Sequence, residues 1–206
     1  SVRFVQGVIA DAPDISDINA SPTGYMSVVL DRNGDVTAEL VESGSNRVYA
    51  SLDEIPIDLQ QAFVAIEDSR FYEHNGIDTQ GIARAAIRGI SRGKLTEGAS
   101  TLTQQLLKNN VFEGWTSESQ EQKLKRKLQE QYLAVQLEKH VSKDWIMENY
   151  LNTINLGQNT LGVQAASRRY FGKDVSELNL SECAVLAAIT KNPGKYNPIT
   201  NPEANQ

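Results

Sequence analysis

"FVAIEDSRFYEHNGID", residues 63–78, reads as the end of an amphipathic helix running into a loop. Leu59, Phe63 and Ile66 fall at i, i+4 and i+7, one apolar stripe at helical spacing. The next place on that stripe, four residues after Phe63, holds Glu67. A lone Glu where a helix leaves the core is usually solvated. A partly desolvated carboxylate is instead a tuned acid or base. This stretch alone leaves both readings open.

Away from it the chain changes character. Residues 25–50 are β-like: "MSVVLDRNGDVTAELV" has two β-rich runs flanking Asn33-Gly34, a strong hairpin signal, and "RVYASL" offers a third strand. From about Asp53 the pattern is helical almost throughout. It predicts helices over Ile57–Asp68, Thr79–Ile90, Thr101–Asn110, Ser119–His140, Lys143–Leu151, Gly162–Tyr170 and Glu182–Thr190. Ser142 before "KDWI" and Ser181 before "ECAV" are suitable caps. Gly-rich "GISRGKLTEG", residues 89–98, reads as a mobile loop. The expected organisation is a linker and β-hairpin region over 1–52, then a mainly α domain over 53–206.

Composition narrows the function classes. With 40% hydrophobic and 22% charged residues among 206, the chain is an ordinary globular one with room for a real core. A net charge of −6 argues against a nucleic-acid binder, although "KLKRK", residues 123–127, is a local basic run. Cys183 is the single cysteine and sits in the apolar run "CAVLAAI", so no internal disulfide forms. His74 and His140 stand far apart with no neighbouring ligand pattern, so no protein-built metal site is expected. No run approaches the roughly 18 apolar residues of a spanning helix. "NPEA" near the end is a good helix opening, so the chain is expected to continue in a longer protein that carries any anchor.

Two further stretches carry chemistry. In "GASTLTQQLLKNN", residues 98–110, Thr101-x-x-Gln104 fits a capping box, which accounts for the first half structurally. The second half is less ordinary: Thr101, Gln104 and Lys108 form one polar stripe, with Gln105 and Asn109 beside it. A helix N-terminus followed by amides and an ammonium suits an anionic, oxygen-rich ligand such as a sugar phosphate. In "QKLKRKLQEQYLAVQLEKH", residues 122–140, Leu124, Leu128, Tyr132 and Val135 form one apolar stripe, while Arg126 and Glu130 start a second that continues through Leu133 and Leu137. This predicts a helix buried on two sides. An i, i+4 ion pair explains Arg126 and Glu130 blandly. Paired carboxylates around an anomeric carbon explain Glu67 and Glu130 together.

The stretches "EDSRFYEHNGID", "GASTLTQQLLKNN", "KRKLQE" and "WIMENYLNTINLGQNTLGVQAASRRYFGK" together resemble the peptidoglycan glycosyltransferase domain of class A penicillin-binding proteins and monofunctional transglycosylases. That family shows E-D-x-x-F-x-x-H-x-G, G-x-S-T-x-T-Q-Q, R-K-x-x-E and I-x-x-x-Y-L-N in this order, and all four are present. The resemblance implies a lysozyme-like helical fold working on the extracytoplasmic face of the bacterial membrane. It implies lipid II and the growing glycan as partners, contact with the membrane surface, and a transpeptidase domain in a bifunctional full-length chain. It makes Glu67 the catalytic base and Glu130 the second catalytic carboxylate. Ser100, Thr101, Gln104, Gln105, Lys108, Asn109, Arg126 and Lys127 become substrate-binding residues, joined by Phe71, His74 and Asn152. Two positions depart from the family pattern: Gln122 stands where a basic residue is common, and Asn155 where a Tyr is common.

The implied reaction is inverting transfer: an acceptor hydroxyl attacks an anomeric carbon whose leaving group is a lipid-linked pyrophosphate. A base in that role must be partly desolvated, and the place of Glu67 on an apolar stripe is the expected source of that. Lys108 and Arg126 neutralise the leaving group, with a divalent cation, Mg²⁺ or Mn²⁺, held mainly through the pyrophosphate. The two carboxylates are then expected to flank one cleft. "VFEGW", residues 111–115, is expected near the lipid tail, against the bilayer interface. A lysozyme-like hydrolase and a non-catalytic cell-wall interaction module stand as alternatives.

Overall fold

Capping chemistry sets where four of the described helices begin. In the computed structural model, residues 2–14, 27–30, 36–40, 47–92, 99–112, 115–158, 160–192, 195–199 and 203 are described. Among them are eight α-helices: α1 Val2–Ala10, α2 Ile57–Glu67, α3 Thr79–Arg92, α4 Leu102–Val111, α5 Gln120–Leu137, α6 Lys143–Leu151, α7 Val163–Phe171 and α8 Leu180–Lys191. Thr101 caps α4 and Ser119 caps α5, each through a reciprocal box with the Gln three residues on. Gln122 therefore has a structural task at the start of α5. Ser142 accepts from the Trp145 N–H at 3.1 Å and caps α6. Ser181 is not a cap: α8 starts earlier, with Asn179 and Glu182 forming the box. At the other end of α7, Gly172 takes the left-handed conformation and closes the last turn onto the Arg168 carbonyl.

The strands β1 Ser27–Leu30 and β2 Val36–Leu40 pair antiparallel, Ser27 opposite Leu40, with an irregularity between Val29 and Leu30. The Asn33-Gly34 turn lies outside the described residues, as does the second half of the expected loop over 89–98. Its first half is helix, because α3 continues through Gly89 to Arg92. The third strand is absent: Arg47 makes only an isolated bridge to Leu161.

The chain divides into two compact units, one of residues 1–21 and 67–147, the other of 22–66 and 148–206. In the first, α4 packs on α5, with Leu102, Leu106, Leu107, Leu133 and Ala134 all fully buried. α1 also packs on α5, where Gln129 donates to the Val8 carbonyl at 3.0 Å. Reading residues 1–52 as linker and hairpin misses α1, a short helix with Gly7 at its centre. Of the two faces of α5 expected to be buried, the apolar stripe through Leu124 and Tyr132 is corrected: Leu124 is 54% exposed and Tyr132 37%. The buried line runs instead through Arg126, Glu130, Leu133 and Leu137, because ion pairing lets the charged pair go inside.

In the second unit, Leu59 and Phe63 of α2 are buried, and Phe63 meets Tyr150 edge-on with ring centroids 5.9 Å apart. α7 packs on α8, around Val163, Ala166, Cys183, Leu186 and Ala187.

Candidate active site

The loop after α2 is tied to the start of α4 by side chains of the first two motifs. Asp68, buried, accepts from the Leu102 N–H at 3.0 Å and from His74 Nε2 at 2.8 Å. A carboxylate at a helix N-terminus satisfies an orphan donor and meets the positive end of the dipole. Thr101 Oγ1 donates to the Gly76 carbonyl at 2.7 Å. Gly76 itself has φ +93°, and a Cβ there would lie 2.5 Å from the Ala134 backbone, so the loop lies flush on α5.

That knot fixes Glu67, the last residue of α2, against the polar side of α4. Gln105 Nε2 donates to Glu67 Oε2 at 3.1 Å. Lys108, half-buried one turn further along α4, is pushed below the ordinary lysine value of 10.5, first by burial and then by Lys127. Glu130 and Glu67 both pull it back upward, and Arg126 adds to the depression. One ammonium therefore lies within the electrostatic reach of both carboxylates and two other cations.

The buried face of α5 completes the cluster. Glu130 is fully buried, with Arg126 Nη1 donating to one oxygen and Lys127 Nζ to the other at 2.8 Å. Lys127 Nζ also donates to Ser100 Oγ at 3.0 Å. Arg126 Nε faces both oxygens of Glu118 at 2.8 Å. Burial works against the Arg126 charge, but Glu118 and Glu130 more than offset it, so the guanidinium is held above its usual value. Lys108, Arg126 and Lys127 thus gather in one partly desolvated place, where cations bind phosphate oxygens more strongly than they do in water.

Glu67, Ser100, Gln105, Lys108, Arg126, Lys127 and Glu130 all belong to the first unit and to this cluster, and Asn109 is half-buried on α4. Other expected substrate contacts have internal tasks. Phe71 is fully buried, with the Lys143 ammonium 4.5 Å from its ring centroid. His74 is spent on Asp68, while Thr101 and Gln104 form the α4 cap. Asn152 lies in the second unit, where its amide holds the Ala50 backbone N–H at 2.9 Å and carbonyl at 2.8 Å. Asn155 accepts from the Gly157 N–H in an exposed turn. Trp115 begins a 3-10 turn, and its side chain lies outside the described residues. Glu118 is absent from the sequence reading because it stands outside any helix, where spacing gives no signal.

Among the described residues no three Asp, Glu, His or Cys side chains come together to hold a metal ion.

The transglycosylase family model matches residues 33–206. The chain belongs to the transglycosylase family. The transglycosylase domain is 44% identical over 180 residues to penicillin-binding protein 1F of Bacillus subtilis, covering 87% of this chain and 24% of that protein. It is 41% identical over 197 residues to penicillin-binding protein 1A/1B of the same organism, covering 95% and 21%. Against penicillin-binding protein 1A of Escherichia coli it is 39% identical over 197 residues, covering 96% and 22%. It spans about a quarter of the length of these curated relatives. As a transglycosylase domain of the kind found in class A penicillin-binding proteins, it is an enzyme domain of peptidoglycan glycosyl transfer in cell-wall synthesis. No described helix is long and apolar enough to cross a membrane.

Proposed function

We propose that the domain polymerises lipid II by inverting transfer, on the extracytoplasmic face of the bacterial membrane, as part of a longer anchored protein. Glu67 takes the proton of the GlcNAc 4-hydroxyl as that oxygen attacks the MurNAc anomeric carbon. The bond to the lipid pyrophosphate breaks on the opposite side, and its electron pair leaves with the pyrophosphate. Lys108, Arg126 and Lys127 meet the developing charge. Ser100, Gln105 and Asn109 orient the sugar and the base, and Glu130 acts through the cations it holds. A divalent cation, if it arrives with the pyrophosphate, would add positive charge against the leaving group beside Lys108, Arg126 and Lys127.

The observation that carries this reading is the convergence of three cations and an amide-bound carboxylate on one face. A hydrolase needs the carboxylate and has little use for the cations. Incubation with labelled lipid II tests it: the expected product is a ladder of glycan polymer on a gel. Release of reducing ends from finished cell wall without any polymer overturns it in favour of hydrolysis.

A further inference from the structure

Arg126 carries two carboxylates at once, and the two are held very differently. Glu130 stands on α5, fully buried, with Lys127 on its second oxygen. Glu118 stands between the Trp115–Ser117 turn and the Ser119 cap, outside regular structure, and both of its oxygens face the same Arg126 Nε at 2.8 Å. Its side chain is 14% exposed against none for Glu130. Glu118 and Arg126 also line a groove of ≈ 460 Å³ whose remaining polar wall is Ser117, Gln122, Lys125 and Gln129. An anion entering from the groove meets a guanidinium already bound to an acid. Three anionic groups on one guanidinium repel one another, so one must leave, and Glu118 is the one that a short irregular segment allows to move.

We infer that Glu118 is a displaceable counter-ion that competes with a diphosphate for Arg126. The inference rests on the reading of Arg126 as a partner of the leaving pyrophosphate. Glu118 then sets two properties in opposite directions. It weakens the hold on the donor, because its ion pair must be broken on binding. It speeds departure of the product diphosphate, because it returns to Arg126 as the leaving group withdraws.

Inorganic pyrophosphate in the presence of a chelator is the probe, with binding followed by titration calorimetry on the whole chain. Glu118→Gln keeps shape and an acceptor for Nε but removes the charge. It is expected to lower the pyrophosphate Kd about tenfold, the low end of coupling between close charge pairs. Glu121→Gln is the control, since it removes the same charge from an exposed acid that pairs with Lys125. It should shift Kd far less. Product release in lipid II turnover should slow in Glu118→Gln, so that KM and kcat fall together, whereas a merely structural loss raises KM or lowers the melting temperature. Arg126→Gln removes the cation while Lys127 stays on Glu130, and so separates the competition from the diphosphate reading. If Arg126→Gln binds pyrophosphate as wild type does, Arg126 is not a diphosphate partner and the competition falls with that reading. If Arg126→Gln loses binding but Glu118→Gln gains none, or gains no more than Glu121→Gln, only the competition is overturned.

Discussion

The Gln105 side-chain amide donates to the Glu67 carboxylate across 3.1 Å, joining the helix of the second motif to the acid of the first. An amide fixes the direction of a carboxylate without cancelling its charge. A lysine at position 105 would have formed an ion pair and opposed proton acceptance. The pairing therefore suits a base that must be aimed and still accept a proton.

Glu67→Gln should keep the bond to Gln105 through its side-chain carbonyl and leave the fold intact. Polymerisation of lipid II should nevertheless fall by about 10²–10⁴-fold, the usual loss on removing a general base. Gel-resolved polymer formation, alongside an unchanged thermal melt, checks both halves. A variant that polymerises at near-normal rate would make Glu67 a residue at which the helix simply leaves the core.

Glu130 predicts a stability effect rather than a purely kinetic one. Glu130→Ala strips Arg126 and Lys127 of a fully buried shared acid. Breaking a buried pair by removing one partner typically costs about 3–5 kcal/mol, and urea denaturation should show a loss of that order. Glu130→Gln, which still offers one acceptor, should lose less stability yet still turn over slowly, because the cations are no longer held in place.

Asp68 should behave as part of the scaffold. Asp68→Ala leaves the Leu102 amide and His74 Nε2 without their buried acceptor, at a cost of at least about 2 kcal/mol. Hydrogen exchange should localise the damage, with faster exchange at Leu102 and the first turn of α4. Uniformly faster exchange across the domain would argue against a local knot.

Lys108 gives a pH dependence with a definite sign. Burial and the neighbouring Lys127 lower its folded-state pKa below that of the unfolded chain, so between the two values the unfolded state binds more protons. Stability contributed by this group therefore rises with pH across the alkaline window just under the ordinary lysine value. Anion binding moves the other way, because the ammonium is lost earlier than in a solvated lysine. Lys108→Arg, which stays charged, should shift the alkaline fall of pyrophosphate binding to higher pH, and Lys108→Ala should abolish that limb.

Much of the helical frame was legible because its signals are local. The boxes at Thr101–Gln104 and Ser119–Gln122 can be read from four letters each, and α6 appears with its bounds unchanged. What depended on tertiary pairing was not legible. Leu124 and Tyr132 look like core and are exposed, while the line through Arg126 and Glu130 is the one that goes inside, because charge pairing outweighs hydropathy once partners are in reach. At the site, the polar stripe of α4 and the two unusual carboxylates could be read from spacing. The tasks of Phe71, His74 and Asn152 could not, since a buried ring, a His–Asp pair and a backbone clamp leave the same letters that ligand contacts would. Glu118 has no periodic context at all.

The knot of Asp68, His74, Gly76, Thr101 and Gln104 changes what the motifs testify to. These residues supply many of the letters by which the first two motifs are recognised, and their described bonds go to one another and to backbone. A duplicated copy of this domain that had lost only Glu67 would keep those bonds and still carry nearly the whole signature. The motifs certify a correctly built platform, and on the proposed reading they would not by themselves distinguish a working copy from a silent decoy that had lost its base at position 67.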